Sequence, residues 1–176
     1  MTDAAQTLTL TLEGGDVVIK LRPDLAPGHV ARITELARDG FYDGVVFHRV
    51  IPGFMAQGGD PTGTGGGGSK KPDLKAEFSK EPHVRGVCSM ARTSAPHSAN
   101  SQFFICFDDA RFLDNQYTVW GQVTSGMEHV DEAGPVVQLE PVVRMDLDAH
   151  DVGAGAVAHP GAIAHPALGH RVDHVF

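Results

Sequence analysis

The sequence has 176 residues, of which 20% are charged, and a formal net charge of −8 at pH 7. This length fits one domain with a sizeable core. Its basic residues never cluster beyond Lys70-Lys71, so a nucleic-acid-binding surface is not expected. No apolar run approaches the roughly 18 residues of a membrane-spanning helix, and residues 1–6 lack the basic and apolar regions of a secretory signal.

The two cysteines, Cys88 and Cys106, lie in strand-like runs and belong to no CxxC or metal-ligand spacing. We interpret them as two buried free thiols, with a disulfide between them as the alternative. Free thiols suit a reducing compartment, so a cytoplasmic location is predicted.

The first part of the chain predicts a hairpin, a helix and a further strand. Residues 8–12 alternate leucine with threonine, and residues 17–21 alternate back after a turn at 13–16. Proline start signals and a closing glycine predict a helix over 23–40, with an apolar stripe on one face. Residues 45–51 form a β-rich run that breaks at the Pro-Gly pair that follows it.

The stretch from Phe47 to Asp60 combines that β-rich run with one arginine and one glutamine. Strand alternation places Phe47, Arg49 and Ile51 on one face and Val50 on the other. If Val50 faces a core, Arg49 points outward. Two interpretations stay open at this point: a site for an uncharged but polar group, or an arginine stem lying over core residues.

Residues 61–75 predict a long loop with six residues, Gly63–Gly68, at its centre. This segment formally matches the GxGxxG fingerprint of dinucleotide-binding proteins. No strand leads directly into it, however, and residues 69–72 cannot open an apolar helix. We interpret it as a flexible loop beside a groove. The nearby Asp60 has no obvious partner in the sequence and is assigned to a surface turn.

The second half of the chain predicts further short strands. In the strand over 102–107, odd-numbered residues are assigned to the core, and Gln102, Phe104 and Cys106 to the opposite, groove-facing side. Eight or so short strands with two helices indicate a mainly β fold, a closed antiparallel barrel rather than an α/β sheet. The other predicted elements are strands over 86–92, 117–123 and 143–147, a helical turn over 110–116 and a helix over 126–133.

The tail differs in composition, so residues 1–148 are predicted to form one domain and residues 149–176 a separate appendage. The tail is rich in glycine, alanine and histidine and holds five of the ten histidines. Their spacings match no standard zinc site, and no metal or other cofactor is predicted. The five are His150, His159, His165, His170 and His174.

The stretch from Phe47 to Asp60 closely resembles the cyclophilin signature F-H-R-x-I-P-G-F-M-x-Q-G-G-D. A second signature of that family appears at residues 101–105, Ser-Gln-Phe-Phe-Ile. On these motifs the chain is identified as a member of the cyclophilins, the peptidyl-prolyl cis/trans isomerases, over residues 7 to about 147. The resemblance implies an eight-stranded barrel with a helix capping each end and a site on its outer wall.

Prolyl isomerisation needs no nucleophile, because its barrier is the loss of amide resonance and no covalent bond is broken. Twisting leaves a lone pair on the prolyl nitrogen, to which a fixed guanidinium can donate. We assign that role to Arg49, with Gln57 as the second catalytic residue. The amides of Gln57 and Gln102 would hold Arg49 and the peptide carbonyls. The resemblance places functional residues at the same positions as the predicted substrate-binding residues: Phe54, Met55, Ala91, Arg92, Gln102, Phe104, Phe112, Leu113 and Tyr117.

Two positions depart from many eukaryotic cyclophilins, which have tryptophan at Phe112 and histidine at Tyr117. Bacterial members often carry phenylalanine and tyrosine, so the chain resembles a bacterial-type enzyme. Family members use the missing indole N–H to bind cyclosporin, so weak cyclosporin binding is expected.

The predicted function is a monomeric isomerase that acts on proline-containing peptides and on unfolded or partly folded proteins. One alternative is a holdase that uses the same groove without turnover, and another is a metal carrier that uses the tail. Ser101 and His97 are a weak hint of a hydrolase dyad, because no nucleophile-elbow motif accompanies them.

Overall fold

The computed structural model describes residues 7–133 and the backbone of residues 144–147. Within these residues, eight strands are accompanied by two α-helices and a 3-10 turn. The elements are β1 (Thr7–Leu12), β2 (Gly15–Leu21), α1 (Pro27–Arg38), β3 (Arg49–Ile51), β4 (Met55–Gly58), β5 (Val87–Met90), β6 (Phe103–Cys106), the 3-10 turn (Arg111–Leu113), β7 (Val119–Ser125), α2 (Met127–Asp131) and β8 (Arg144–Leu147).

The strands form one antiparallel sheet in the order β3-β4-β6-β5-β7-β2-β1-β8. The first hairpin follows the predicted alternation, since Leu8 lies opposite Ile19 and Leu10 opposite Val17, all completely buried. The prediction of a mainly β fold with antiparallel strands and two helices is therefore confirmed. No ladder joins the edge strands β3 and β8 in the described parts of the chain, so closure of the barrel stays a prediction.

Helix α1 begins at Pro27, whose fixed φ suits the first helical turn. Its N-cap residue makes no side-chain cap. Instead, the carboxylate of Glu77 accepts hydrogen bonds from the N–H groups of Gly28 and His29, each at 2.9 Å. A negative charge at this end of a helix meets unpaired N–H donors and the positive end of the helix dipole. Glu77 thereby ties the long segment between β4 and β5 to α1.

The sheet separates two hydrophobic clusters. We call the cluster that includes residues of α1 the inner cluster, and the one on the opposite face of the sheet the outer cluster. The inner cluster includes Leu10, Ile19, Ile33, Tyr42, Phe47, Phe103, Ile105 and Trp120. The outer cluster consists of Met55, Val87, Ala91, Phe104, Cys106, Ala110, Leu113 and Val119.

Strand β4 is the element that the sequence pattern did not predict. All four of its residues are buried, because the sheet carries a hydrophobic cluster on both faces here. A strand buried on both faces shows no alternation of polar and apolar residues.

Strand β3 is shorter than predicted, and this changes one assignment. The prediction that Phe47 shares a face with Arg49 is wrong, because Phe47 belongs to the inner cluster. The strand begins only at Arg49, so its alternation does not extend back to Phe47. Within β3 the predicted alternation holds: Val50 packs on the inner cluster and Ile51 on the outer one.

The predicted tail, residues 149–176, and the first residue of the predicted closing strand, Val143, lie outside the described residues. Neither helix in the described part of the chain is long and apolar enough to cross a membrane.

Candidate active site

Three of the predicted site residues lie in one row across the outer face of the sheet. Arg49 lies opposite Gln57 in the β3–β4 ladder, and Gln57 lies opposite Phe104 in the β4–β6 ladder. Directly opposed residues of antiparallel strands present their side chains on the same face. A guanidinium, an amide and an aromatic ring are therefore neighbours on the face that carries the outer cluster.

The apolar part of the site is built on the outer cluster. Met55, Phe104 and Leu113 are buried in it and form a floor, with exposed fractions of 0%, 0% and 2%. Phe54 packs against this cluster, and its ring centroid lies 5.6 Å from that of Phe112. Phe112 itself is 62% exposed, so it forms a rim rather than part of the floor.

The opposite rim is formed by Tyr117 and Arg92. Tyr117 contacts Phe104 edge to face, with 5.8 Å between the ring centroids. The Arg92 guanidinium lies over the Tyr117 ring, 4.7 Å from its centroid, which is a cation–π geometry. Two hydrogen bonds from Arg92 to the carbonyl of Gln116, at 2.8 and 3.0 Å, hold the guanidinium in place. Ala91 belongs to the outer cluster beside them.

Arg49 is half-buried, and burial lowers its pKa from the ordinary value, with nearby Tyr117 acting in the opposite direction. An arginine begins from a pKa above about 12, so the guanidinium stays charged at neutral pH. The site therefore presents a permanent cation beside an apolar floor.

The amides of Gln57 and Gln102 are joined in a fixed direction. Gln57 Nε2 donates to Gln102 Oε1 at 3.0 Å, and Gln102 Nε2 donates to the carbonyls of Gly65 and Gly67 at 2.9 and 2.8 Å. Both N–H groups of Gln102 are thus directed at the glycine-rich loop, which leaves neither for a peptide carbonyl. Its predicted role in substrate binding stays a prediction, and these contacts favour an indirect role through Gln57.

Asp60 occupies a different place from the predicted surface turn, because it is completely buried. Its carboxylate accepts hydrogen bonds from the backbone N–H groups of Thr62, Thr64, Gly65 and Gly67 at 2.7 to 3.1 Å. Burial raises the pKa of Asp60, but these hydrogen bonds and that of the Thr62 hydroxyl outweigh it, so the pKa lies below its ordinary value. The sequence signal was a turn pattern, aspartate followed by proline, threonine and glycine, in which the Asp side chain can accept from the N–H two residues on.

The same hydrogen bonds explain why the glycine-rich loop resembles a nucleotide-binding motif. Converging backbone N–H groups form an anion-binding nest, and here the anion is the protein's own Asp60 carboxylate. A phosphate would have to displace it, so the structure argues against nucleotide binding. The loop predicted to be flexible has a defined set of hydrogen bonds.

A buried polar chain beneath Phe104 was not found from the sequence, because no spacing links its three members, His83, Ser89 and Asp114. His83 Nδ1 lies 3.1 Å from Asp114 Oδ1, and Nε2 lies 2.9 Å from Ser89 Oγ. The His83 ring stacks on Phe104, with centroids 6.2 Å apart. Burial lowers the pKa of His83, with Asp114 opposing it. Ser89 is completely buried, so this chain supports the floor and offers no accessible nucleophile.

Ser101 and His97, the weak hint of a hydrolase dyad, do not form one. His97 Nδ1 accepts a hydrogen bond from the Ala76 N–H, whereas the Ser101 hydroxyl donates to the carbonyl of Gly59. The two side chains have separate structural partners.

Both thiols are buried and free, as predicted. Cys88 belongs to the inner cluster and Cys106 to the outer one, so they lie on opposite faces of adjacent strands and the alternative of a disulfide is wrong. Burial raises the pKa of Cys106 to about 12, and that of Cys88 is also raised, so both are protonated and unreactive at neutral pH.

Comparison with known proteins identifies the family and the fold of the chain. The family model of the cyclophilin-type peptidyl-prolyl cis-trans isomerases matches residues 7–147. A probable peptidyl-prolyl cis-trans isomerase of Brucella suis is 52% identical, with 84% of this chain and 85% of that protein covered. Peptidyl-prolyl cis-trans isomerase B of Bacillus subtilis is 46% identical, with 66% of this chain and 81% of that protein covered.

Solved structures agree. The cyclophilin AquaCyp293 of Hirschia baltica superposes with a TM-score of 0.75 at 29% identity, covering 87% of this chain and 77% of that one. A Cryptosporidium parvum cyclophilin, solved in the presence of the dipeptide Ala-Pro, has a TM-score of 0.75 at 27% identity, covering 81% and 99% of the two chains. The chain therefore belongs to the cyclophilin-type peptidyl-prolyl cis-trans isomerases, enzymes that interconvert the cis and trans forms of bonds preceding proline.

Proposed function

We propose that this isomerase acts without covalent chemistry, with Arg49 donating a hydrogen bond to the prolyl nitrogen as the peptide bond twists. The uncatalysed barrier is about 18–20 kcal/mol and arises from amide resonance. At the top of the barrier the nitrogen is pyramidal and carries a lone pair that the planar ground state lacks. A donor aimed at that lone pair stabilises the transition state more than either ground state, which is what accelerates a reaction.

The observation that carries this proposal is the row formed by Arg49, Gln57 and Phe104. It sets a permanently charged donor beside a buried aromatic floor, where a proline ring can be held and water excluded. A preorganised donor in such a place needs little reorganisation during the reaction. Gln57 lies opposite Arg49, and because its N–H group is directed at Gln102, its side-chain oxygen is left on the face that it shares with the guanidinium.

The substrates we propose are proline-containing peptides and unfolded or partly folded proteins. The Cryptosporidium parvum relative crystallised in the presence of Ala-Pro supports a dipeptide-sized proline site on this fold. We further propose that the protein is a cytoplasmic monomer, that its sheet closes as an eight-stranded barrel, and that residues 149–176 form a separate tail.

A holdase is the competing function, because a groove that grips proline could also retain a segment without turning it over. A protease-coupled isomerisation assay on a short Xaa-Pro peptide separates the two functions. The proposal expects acceleration at enzyme concentrations far below that of the peptide, and faster refolding of a protein limited by a prolyl bond. Effects that need equimolar protein would favour the holdase.

A further inference from the structure

Two glycines connect Asp60 to Gln102, whose amide is bonded to that of Gln57. Gly65 N–H donates to Asp60 Oδ2 at 2.7 Å, while the Gly65 carbonyl accepts from Gln102 at 2.9 Å. Gly67 does the same: its N–H donates to Asp60 Oδ2 at 3.1 Å and its carbonyl accepts from Gln102 at 2.8 Å. The carboxylate thus orients both peptide units whose carbonyls receive the Gln102 amide.

These contacts determine the orientation of each side-chain amide, that is, which partner faces its NH₂ group and which faces its oxygen. Two carbonyl acceptors compel Gln102 to present its NH₂ group to the loop and its oxygen to Gln57. That oxygen in turn compels Gln57 to present its NH₂ group to Gln102. Gln57 Oε1 is left as a buried acceptor on the face it shares with Arg49, and it has no hydrogen-bond partner among the described residues.

We infer that Asp60 is a positioning residue for isomerisation, which sets the direction of the Gln57 amide beside Arg49 by way of the loop and Gln102. This inference rests on the proposed function, because it takes the Arg49 guanidinium as the donor to the prolyl nitrogen. Asp60 acts through other residues and is buried away from any peptide.

The loop sequence fits this role. Gly65 has a φ of +87°, a conformation that favours glycine. At Gly67 an added Cβ would meet the Asp60 carboxylate, so the space that a side chain would need is occupied by the charge. The glycines therefore allow the backbone to wrap closely around Asp60 rather than giving it freedom to move.

The test is Asp60→Asn, which keeps the shape but turns one acceptor oxygen into an NH₂ group facing backbone N–H donors. The matched control is Asp73→Asn, an exposed carboxylate of the same loop that accepts only from Asn100 among its described contacts. We expect kcat to fall about three- to tenfold in Asp60→Asn with KM little changed, because misaligned donors lose transition-state stabilisation rather than binding. Asp73→Asn should match the unmodified protein.

A double-mutant cycle separates positioning from general loop stability. If Asp60 acts through Gln102, Asp60→Asn adds little further loss in a Gln102→Ala background, whereas independent effects multiply. The side-chain amide resonances of Gln57 in NMR should shift in Asp60→Asn and stay in place in Asp73→Asn. Multiplying losses, or unshifted Gln57 resonances, would overturn the inference.

Should Asp60→Asn fold poorly, Thr62→Val gives a milder version of the test. It removes one hydroxyl donor to the Asp60 carboxylate from an exposed position and keeps the side-chain shape. The same fall in kcat, smaller in size, is expected, and it should again vanish in the Gln102→Ala background. An unchanged kcat in a folded Thr62→Val protein together with multiplying losses in the cycle would overturn the inference.

An Arg49→Ala variant in the same assay distinguishes failure of the Asp60 positioning role from failure of the proposed function. If it is inactive while folded Asp60→Asn is fully active, the positioning role is wrong and the proposed function holds. If Arg49→Ala retains its activity, the proposed function itself fails.

Discussion

The inner and outer clusters share the same strands but differ in what borders them. The inner cluster is built from apolar side chains of the sheet and α1, and the Tyr42 hydroxyl within it donates to the Ser101 carbonyl at 2.9 Å. The outer cluster is bordered by two guanidiniums and two amides, and Phe112 opens it to solvent. Similar apolar residues therefore stabilise the fold on one face and form the floor of a site on the other.

Two adjacent phenylalanines of β6 allow the most direct contrast between the clusters. Phe103 contacts Tyr42, Phe47 and Trp120 in the inner cluster, and Phe104 contacts His83 and Tyr117 in the outer one. Phe103→Ala should lower the free energy of unfolding by about 3–5 kcal/mol, because it leaves a cavity in a closed core. The folded fraction should keep its kcat/KM.

Phe104→Ala should also destabilise the fold, but in addition it should lower kcat/KM of the folded protein, because it removes the floor of the proline pocket. Urea unfolding and the isomerisation assay, both run at low temperature, measure the two quantities separately. Equal losses of kcat/KM in the two variants would mean that the outer cluster is no more important for catalysis than the inner one.

Acid should weaken the fold through His29, His48 and His83. Burial lowers the pKa of each below the ordinary value of about 6.5. Below that pH the unfolded chain binds more protons than the folded one, so the free energy of unfolding falls as the pH approaches the folded-state values. The melting temperature should be flat above about pH 7 and decline toward pH 5.

Among these histidines, His83 contacts the outer cluster, because its ring stacks on Phe104. His83→Gln cannot gain the proton, so its melting temperature should decline less between neutral pH and pH 5. A melting temperature that is constant down to pH 5 in the unmodified protein would contradict the assignment of buried neutral rings.

The exposed rim should control binding of cyclosporin rather than catalysis. Phe112 lacks the indole N–H that family members use on this inhibitor, so inhibition should be weak and partly restored by Phe112→Trp. Its 62% exposure and tilted contact with Phe54 leave room for the larger ring. Cyclosporin inhibition titrations of the unmodified protein and of Phe112→Trp test this prediction. Equally strong inhibition of the unmodified protein would show that the missing donor does not matter.

Removal of residues 151–176 should have the smallest effect. The last described strand, Arg144–Leu147, lies before the cut, and the tail sequence offers few large apolar residues. Melting temperatures of the full-length and truncated proteins should differ by only a few degrees, with kcat/KM unchanged. A much lower melting temperature after truncation would mean that the tail packs on the sheet domain.

The sequence predicted most strands, including β5 and β6, whose residues are all buried, but its periods are clearest where burial is one-sided. The first hairpin shows the 2-residue period and α1 the 3.6-residue period, because one face of each element is exposed to solvent. Strand β4 was missed because it is fully buried and its sequence, Met-Ala-Gln-Gly, lacks the β-branched and aromatic residues that are typical of strands. Asp60 was assigned to the surface for another reason: the residues after it indicate a turn, but not that backbone N–H groups of Thr64, Gly65 and Gly67 surround its carboxylate. The motifs pointed to the site residues, whereas the direction of the Gln57 and Gln102 amides depends on loop carbonyls that only the structure reveals.

The central claim is that the outer face works through one guanidinium, and Arg49→Ala tests it most directly. We predict that kcat/KM for an Xaa-Pro peptide falls at least about tenfold, with about 2.7–4 kcal/mol as the upper range for one lost preorganised donor. Arg49→Lys should also be poor, because a point charge does not reproduce the planar fork. Arg38→Ala, an exposed arginine of α1, should match the unmodified protein. Circular dichroism and melting curves establish that each variant is folded. Near-normal turnover by a folded Arg49→Ala protein would contradict the account.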